Sequence, residues 1–403
     1  MGSGASTEDV GKQVEELKAA LEAENNDVSR LIDRTARDLN SLTNARLDIA
    51  VTGATGAGKS SLVNALRGMT DNDEGAAETG VIQTTMKPKG YPHPTFPNVT
   101  VWDLPGIGTN EFSSKESAKE YLQSVDFTKY DFFIIAASVR FTLNDVMLAQ
   151  EIHKMNKKFY YVRTKLDTDI EPERKKAEGR NETFNEEETL ATLRKHLYDN
   201  LVKAGESHPR VFLVSSHYWD RFEFQFLLEV IGNELDEIKR YALITALSNF
   251  SGKVLKKKKA SMEALVEKVA LVSSVNGAVQ VPGLFLVCNI PFLEKTMRNF
   301  SMAFGLDEDS LHRLAKQSGK PVPALSSAIK KTKIASQINS EVVETLLKRA
   351  CDSVERAFMD FLPPLRSLFG GGNSSVALSR MLHSFLDDAE EDAVKVLAKA
   401  FEK

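Results

Sequence analysis

The sequence predicts an α/β fold, with a mostly parallel sheet covered by helices on both faces, joined to an all-α region. Two observations predict it. First, short apolar runs alternate with amphipathic stretches in the central part, which is typical of strands alternating with helices. The runs are LDIAV from 47, NVTVWDL from 98, DFFIIAA from 131, KFYYV from 158 and RVFLV from 210. Second, on either side of this part the apolar residues follow helical spacing.

These changes of period divide the 403 residues into three predicted segments. Residues 1–45 form an N-terminal helical segment, 46–235 an α/β domain, and 236–403 a C-terminal helical domain. Helical spacing in the first segment is carried by Val10, Val14, Leu17 and Leu21. We therefore expect one sheet-based domain combined with an all-α domain built from the two ends of the chain.

Composition excludes several classes of protein. The net charge of −4 and the pI of about 6.1 do not favour a nucleic-acid partner. The two cysteines, Cys288 and Cys351, lack the spacing of a disulfide framework or a zinc site, which indicates a reducing compartment. No apolar run has the length of a transmembrane helix, and MGSGASTEDV has no secretory signal. We expect a cytoplasmic protein.

The first chemical motif directly follows the first predicted strand and has the form G-x-x-x-x-G-K-S. Glycines let successive backbone N–H groups face phosphates, and the next helix adds its positive N-terminal end. Lys59 would bridge the β- and γ-phosphates, and Ser60 would bind Mg²⁺. The predicted nucleotide contacts in this loop are Gly53, Ala54, Thr55, Gly56, Ala57, Gly58, Lys59, Ser60 and Ser61.

DLPG ends the second predicted strand and supplies two more phosphate-side residues. Asp103 can reach Mg²⁺ through water, and the Gly106 N–H can sense the γ-phosphate. The segment before it, ETGVIQTTMK, should contain a threonine that closes on Mg²⁺ and the γ-phosphate. Thr79, Thr84 and Thr85 all remain candidates on the residues alone.

Two motifs after later strands select the base. TKLD provides Thr164, Lys165 and Asp167, and SSH provides Ser215 and Ser216. A carboxylate at Asp167 accepts from the N1–H and N2–H₂ groups of guanine, whereas adenine would leave it unpaired. The stem of Lys165 would lie along the base, and backbone N–H groups of the two serines could meet the guanine oxygen. Four motifs in order at strand ends predict a guanine-nucleotide site.

The chain resembles the immunity-related GTPases, the interferon-inducible GTPases of vertebrates, over nearly its whole length. The similar stretches are RLDIAVTGATGAGKSSLVNALRG, ETGVIQTTM, VWDLPGIGT, YDFFIIAASVRFTLND, RTKLD, VPGLFLVCNIPFLEK and FGLDEDSLHRLA. The resemblance implies a Ras-like P-loop G domain combined with helices from both ends of the chain. It also implies GTP hydrolysis, GTP-dependent self-association, and action on intracellular membranes, notably vacuoles around pathogens, in cell-autonomous innate immunity.

The resemblance also assigns residues. Thr85 falls on the switch threonine, which with Lys59, Ser60 and Gly106 makes the catalytic set, and Ser60, Thr85 and Asp103 become the Mg²⁺ residues. Arg140 and Asp145 fall on the surface where two G domains face each other. Gln83 stands where the family commonly has a glutamate linked to activation across that dimer. Thr142 and Leu143 stand where it commonly has lysines, which implies a differently built interface.

Ile107 follows DLPG at the place where Ras-type GTPases carry a water-orienting glutamine. It has no hydrogen-bonding group, so a backbone carbonyl, a switch residue or a second molecule must position the water. The main interpretation is a GTP-hydrolysing enzyme that works on membranes. The alternative is a GTP-gated membrane scaffold with little turnover, and a third reading is a GTPase for ribosome or RNA work, which the acidic balance disfavours.

Three features bear on membrane binding. MGSGAS matches M-G-x-x-x-S, which predicts a myristoylated Gly2. One acyl chain holds a membrane only marginally, so a second signal is expected. The stripe of Leu293, Met297, Phe300 and Phe304 fits either a membrane-facing or a core-facing helix, and KKKK at 256–259 fits either headgroup binding or a solvated face.

Overall fold

The computed structural model of the chain describes residues 28–80, 85, 87–106, 115–219, 221–249, 251–275, 279–280, 287–358 and 372–402. Its described strands are β1 Leu47–Gly53, β2 Lys89–Pro92, β3 Val99–Asp103, β4 Phe132–Ala137, β5 Lys158–Arg163, β6 Val211–Leu213, β7 Val279–Gln280 and β8 Val287–Cys288. Its described helices are α1 Val28–Thr43, α2 Lys59–Leu66, α3 Lys115–Ser124, α4 Leu143–Lys154, α5 Leu166–Gly179, α6 Glu186–Lys203, α7 Phe224–Glu234, α8 Glu237–Ala246, α9 Gly252–Val275, α10 Ile290–Ala303, α11 Glu308–Ser318, α12 Val322–Ser326, α13 Ser340–Phe358 and α14 Gly372–Phe401.

A sheet in the order β2-β3-β1-β4-β5-β6 forms the centre of the α/β part. The five predicted strands are all present and pair in parallel, as the alternation of strands and helices predicts. β2 is an additional antiparallel edge strand. Every residue of β1 and β4 is buried, which explains why these strands are continuous apolar runs.

The chain divides into two compact units. One is Ala45–Phe250, and the other combines Met1–Asn44 with Ser251–Lys403. The predicted division after 235 therefore differs from the structure, because α8 belongs with the sheet. That helix packs on β1 and β3, and Lys239 at its start lies 2.8 Å from a carboxylate oxygen of Asp131.

The second unit is mainly helical. α9 packs along α14 and also against α1, so the two ends of the chain share this unit. The expectation that strands stop after 236 is wrong in one detail, since β7 and β8 form a short antiparallel pair. Among the described helices, none is both long and apolar enough to cross a bilayer.

Neither of the two proposed membrane features of this unit forms a single membrane-facing surface. The four-residue stripe of α10 and the turn after it is buried, so it is part of the core: Leu293, Met297, Phe300 and Phe304. In the lysine run, Lys258 is buried and Lys259 pairs with Asp387 and Glu390. Four consecutive helical residues point in different directions, so the run cannot form one headgroup-binding face.

Candidate nucleotide-binding site

The loop between β1 and α2 has the backbone geometry of a phosphate-binding turn. Gly53 has φ +134°, and a Cβ there would lie 2.0 Å from the Ala136 carbonyl oxygen of β4. Gly58 has φ +77° at the start of α2, with the left-handed conformation that favours glycine. The glycines of the motif are thus required by the close approach of two strands and by the turn into the helix.

Lys59 is buried at the first position of α2, and its Nζ donates to the Ala54 carbonyl oxygen at 3.1 Å across the loop. Burial lowers the pKa of this ammonium, while attraction to Asp103 and Asp145 partly opposes the shift. A phosphate would supply the negative charge that a desolvated ammonium lacks. This position fits the predicted phosphate contact.

Three oxygen-bearing side chains converge beside the loop. The hydroxyls of Ser60 and Thr85 donate to the same oxygen of Asp103, Oδ2, at 2.7 and 2.8 Å. Asp103 is fully buried, and its Oδ1 has no hydrogen-bond partner among the described residues. A buried carboxylate with an unpaired oxygen next to two hydroxyls is the hard-oxygen donor set that suits Mg²⁺. These three residues therefore fit the predicted ion.

The candidate switch threonines differ in position. Thr85 contacts Asp103, as given above, whereas Thr79 is exposed. Thr84 lies outside the described residues, as do Gln83, Ile107 and Gly2. Ser61 turns away from the loop, because its hydroxyl donates to Asp71 at 2.8 Å, so its backbone is the part left for a nucleotide.

DLPG is held close to the phosphate loop. A Cβ on Gly106 would lie 2.6 Å from the Thr55 hydroxyl, so a glycine is needed for this approach. Tyr121 of α3, which sequence reasoning missed, donates from its buried hydroxyl to the Pro105 carbonyl oxygen and lies 2.9 Å from the Thr52 hydroxyl. Its partners are far away in the chain, so no local pattern marks it.

TKLD also contacts the phosphate loop directly. The buried Thr164 hydroxyl donates to the Ala57 carbonyl oxygen at 2.7 Å. Lys165 has φ +60°, and its Nζ donates to the Gly56 carbonyl oxygen at 3.0 Å. Its stem therefore crosses from β5 to the loop, where the prediction places the plane of the base.

Asp167 lies in the first turn of α5 and is half-buried. The Ser215 hydroxyl donates to its Oδ1 at 2.7 Å and in turn accepts from the His217 N–H at 3.2 Å. Ser215 thus acts on the carboxylate through its side chain, which differs from the backbone contact that the sequence predicts. The Ser216 carbonyl oxygen accepts from the Trp219 indole at 2.6 Å.

The loop after β4 carries the residues that the resemblance places on a dimer surface. Arg140 is exposed and, with Lys203 of α6, lines a shallow cavity of about 560 Å³. Asp145 is only 2% exposed, which corrects the expected surface position. It forms a capping box with Thr142, accepting from the backbone N–H and hydroxyl at 2.7 and 2.8 Å. Burial raises the pKa of the Asp145 carboxyl, and the hydrogen bonds from Thr142 oppose this.

A phosphate loop, a hydroxyl–carboxylate set and a guanine-type carboxylate at neighbouring strand ends define a P-loop nucleotide-binding protein of the GTP-binding class. The chain belongs to the interferon-inducible GTPase family, whose model matches residues 12–400, and it is a GTPase with a Ras-like G domain and a mainly helical second part.

Individual relatives agree with this family. The chain is 41% identical to interferon-inducible GTPase 5 of Rattus norvegicus over 395 residues, covering 97% of this chain and 83% of that protein. It is 36% identical to interferon-gamma-inducible GTPase 10 of Mus musculus, covering 93% and 86% of the two chains. It is 33% identical to interferon-inducible GTPase 1 of Mus musculus, covering 89% and 84%.

Proposed function

We propose that this GTPase binds GTP with Mg²⁺ at the site described, hydrolyses it to GDP, and self-associates in the GTP state at intracellular or pathogen-containing vacuole membranes. The observation that carries the nucleotide part is the convergence of Ser60 and Thr85 on the buried Asp103. When bound there, Mg²⁺ would neutralise charge on the phosphates. The Thr85 hydroxyl would link the switch segment to the Mg²⁺ and the phosphates. GTP binding would therefore act directly on the conformation of the switch segment.

The base is selected by Asp167. The Ser215 hydroxyl fixes one carboxylate oxygen, which orients both oxygens toward the donors of a guanine edge. Lys59 holds the phosphates through its ammonium, and Lys165 covers the loop from the other side. The residues of this chain therefore bind and orient the substrate.

Self-association is supported by the surface around Arg140. Val139 is 72% exposed and Leu143 66% exposed, so apolar side chains flank the cation. Arginine is enriched at protein interfaces, and exposed apolar side chains next to it add area that a partner could bury. The buried capping box of Asp145 holds the start of α4 and the loop that carries this surface.

GTP turnover measured across a protein concentration series tests the proposal. Specific activity should rise with concentration and then level off, because the dimer fraction rises. Arg140→Ala should flatten the rise by lowering dimer formation about tenfold, with GTP affinity unchanged. Arg180→Ala, which removes an exposed arginine at the end of α5, is the matched control and should behave as the unmodified protein does.

Specific activity that stays constant from nanomolar to high micromolar protein would contradict the need for a second molecule. GTP-dependent dimers with almost no turnover at any concentration would instead indicate the scaffold. The membrane part of the proposal depends on Gly2, which is the remaining candidate of the three, since the apolar stripe is buried and the lysine run does not form one face.

A further inference from the structure

A buried arginine lies directly before TKLD, and the function described so far gives it no role. Arg163, the last residue of β5, is only 3% exposed. Its Nη1 donates to the Thr164 carbonyl oxygen at 2.8 Å, and its Nη2 donates to the Asp169 carboxylate. Its Nε has no hydrogen-bond partner among the described residues. Burial lowers the pKa of this guanidinium, and Asp169 partly opposes the shift. A desolvated cation at this place is costly unless it holds its two partners.

The two contacts bracket the residues that recognise the base. Thr164 comes before, and Asp169 after, the tripeptide of Lys165, Leu166 and Asp167. Lys165 takes the left-handed conformation, which strains a residue that has a side chain. A strained turn persists only where its surroundings fix it, and one buried side chain fixes it from both ends.

Arg163 also balances charge in the first turn of α5. Asp167 and Asp169 stand two residues apart, and the pKa of the Asp169 carboxyl is raised by burial and, further, by Asp167, while Arg163 opposes both. Without the guanidinium, the two carboxylates would repel each other where one of them must hold a fixed direction.

We propose that Arg163 is a positioning residue for guanine specificity: it holds the turn and the neighbouring carboxylate so that Asp167 faces the base. The proposal rests on the proposed guanine contact of Asp167. The proposal predicts that loss of Arg163 weakens the contribution of the base to nucleotide affinity. The contribution of the phosphates to the affinity should stay unchanged.

The test compares GDP with inosine diphosphate, which lacks only the 2-amino group that Asp167 would accept from. Affinities for both are measured by calorimetry on the full chain. In Arg163→Met, GDP affinity should fall about tenfold more than inosine diphosphate affinity, because a hydrogen bond to a charged group is lost for GDP alone. Asp169→Asn should lower the ratio of GDP affinity to inosine diphosphate affinity by a smaller factor. Arg163→Lys should keep part of the ratio of the unmodified protein. These two milder variants answer the question if Arg163→Met does not fold.

Arg240→Met is the matched control, since Arg240 also donates to backbone carbonyls, those of Gly232 and Leu235, within the same unit. Its ratio should equal that of the unmodified protein. Equal losses for both nucleotides in Arg163→Met and Asp169→Asn would show a merely structural role and overturn the proposal. Asp167→Ala separates the guanine contact of Asp167 from the positioning role of Arg163. If Asp167→Ala leaves the ratio of the two affinities unchanged, the guanine contact itself is wrong. If Asp167→Ala lowers the ratio and the Arg163 and Asp169 variants do not, only the role of Arg163 is wrong.

Discussion

Lys258 of α9 provides a stability prediction that depends on pH. Its side chain is 1% exposed, and its Nζ donates to the Ala303 carbonyl oxygen at the end of α10 at 2.6 Å. Burial lowers the pKa of this ammonium from 10.5 to about 7, and attraction to the Asp307 carboxylate opposes the shift only in part. The perturbation is Lys258→Met, which keeps the chain length and removes the titrating group.

The sign follows from proton binding. Above about pH 7 the folded protein holds Lys258 neutral, whereas the unfolded chain keeps it protonated up to about pH 10.5, so the unfolded chain binds more protons in this window. The free energy of unfolding therefore rises with pH there, by about 1.4 kcal/mol per pH unit from this group. From about pH 7, where Lys258 is half-titrated in the folded protein, to about pH 9, the unmodified protein should gain about 2 kcal/mol relative to Lys258→Met.

Urea unfolding followed by far-ultraviolet circular dichroism measures the effect at both pH values. Fluorescence would not serve, because both tryptophans, Trp102 and Trp219, belong to the other unit. Amide hydrogen exchange in α10 adds a local readout at the carbonyl that Lys258 contacts. Lys256→Met, on the exposed side of the same helix, is the control and should keep the pH dependence of the unmodified protein. A stability difference between Lys258→Met and the unmodified protein that is the same at both pH values would refute the reasoning.

Two further predictions concern the switch and the membrane. Because Thr85 contacts Asp103 and Thr79 is exposed, Thr85→Ala should weaken GTP binding with GDP binding nearly unchanged, and Thr79→Ala should change neither in the same titration. The opposite result would mean that the wrong threonine was chosen. Because a myristoyl group at Gly2 is the remaining candidate anchor and a second signal alone binds weakly, Gly2→Ala should shift the protein from the membrane fraction to the soluble fraction of cells, and an unchanged distribution would show another anchor.

The sequence predicts the parts of the site that depend on local chemistry. The glycines of the phosphate loop, the carboxylates after two strands and the parallel pairing of the five strands all follow from short patterns. β2 was missed because it is a four-residue edge strand that ends in Pro92, which reads as a turn. Tyr121 was missed because its hydrogen bond to a carbonyl oxygen elsewhere in the fold leaves no mark in residue spacing. Arg163 was missed because its partners, Thr164 and Asp169, are local but no short pattern shows that the arginine is buried.

One wrong expectation and one open alternative could have been resolved from the sequence. Thr142 and Asp145 have the spacing of a capping box before an apolar run, which predicts a carboxylate turned toward its own backbone and not toward a partner. Likewise, consecutive helical residues are about 100° apart, so a run of four lysines cannot share one face. In both cases the geometry of the helix, its capping box or its 100° spacing, predicts the side-chain positions better than charge does.

The position of β4 in the sheet links nucleotide binding to the proposed interface. β4 pairs in parallel with β1 on one side and with β5 on the other, so the loop that carries Arg140 lies at the same sheet edge as the phosphate loop and TKLD. The link is also electrostatic, because Asp145 at the end of this loop attracts the buried ammonium of Lys59. A phosphate bound to Lys59 would compete with the Asp145 carboxylate for the ammonium of Lys59. We expect a change of nucleotide to act on the loop of Arg140 through this one neighbouring side chain, so the proposed control of self-association by GTP would need no long path through the domain.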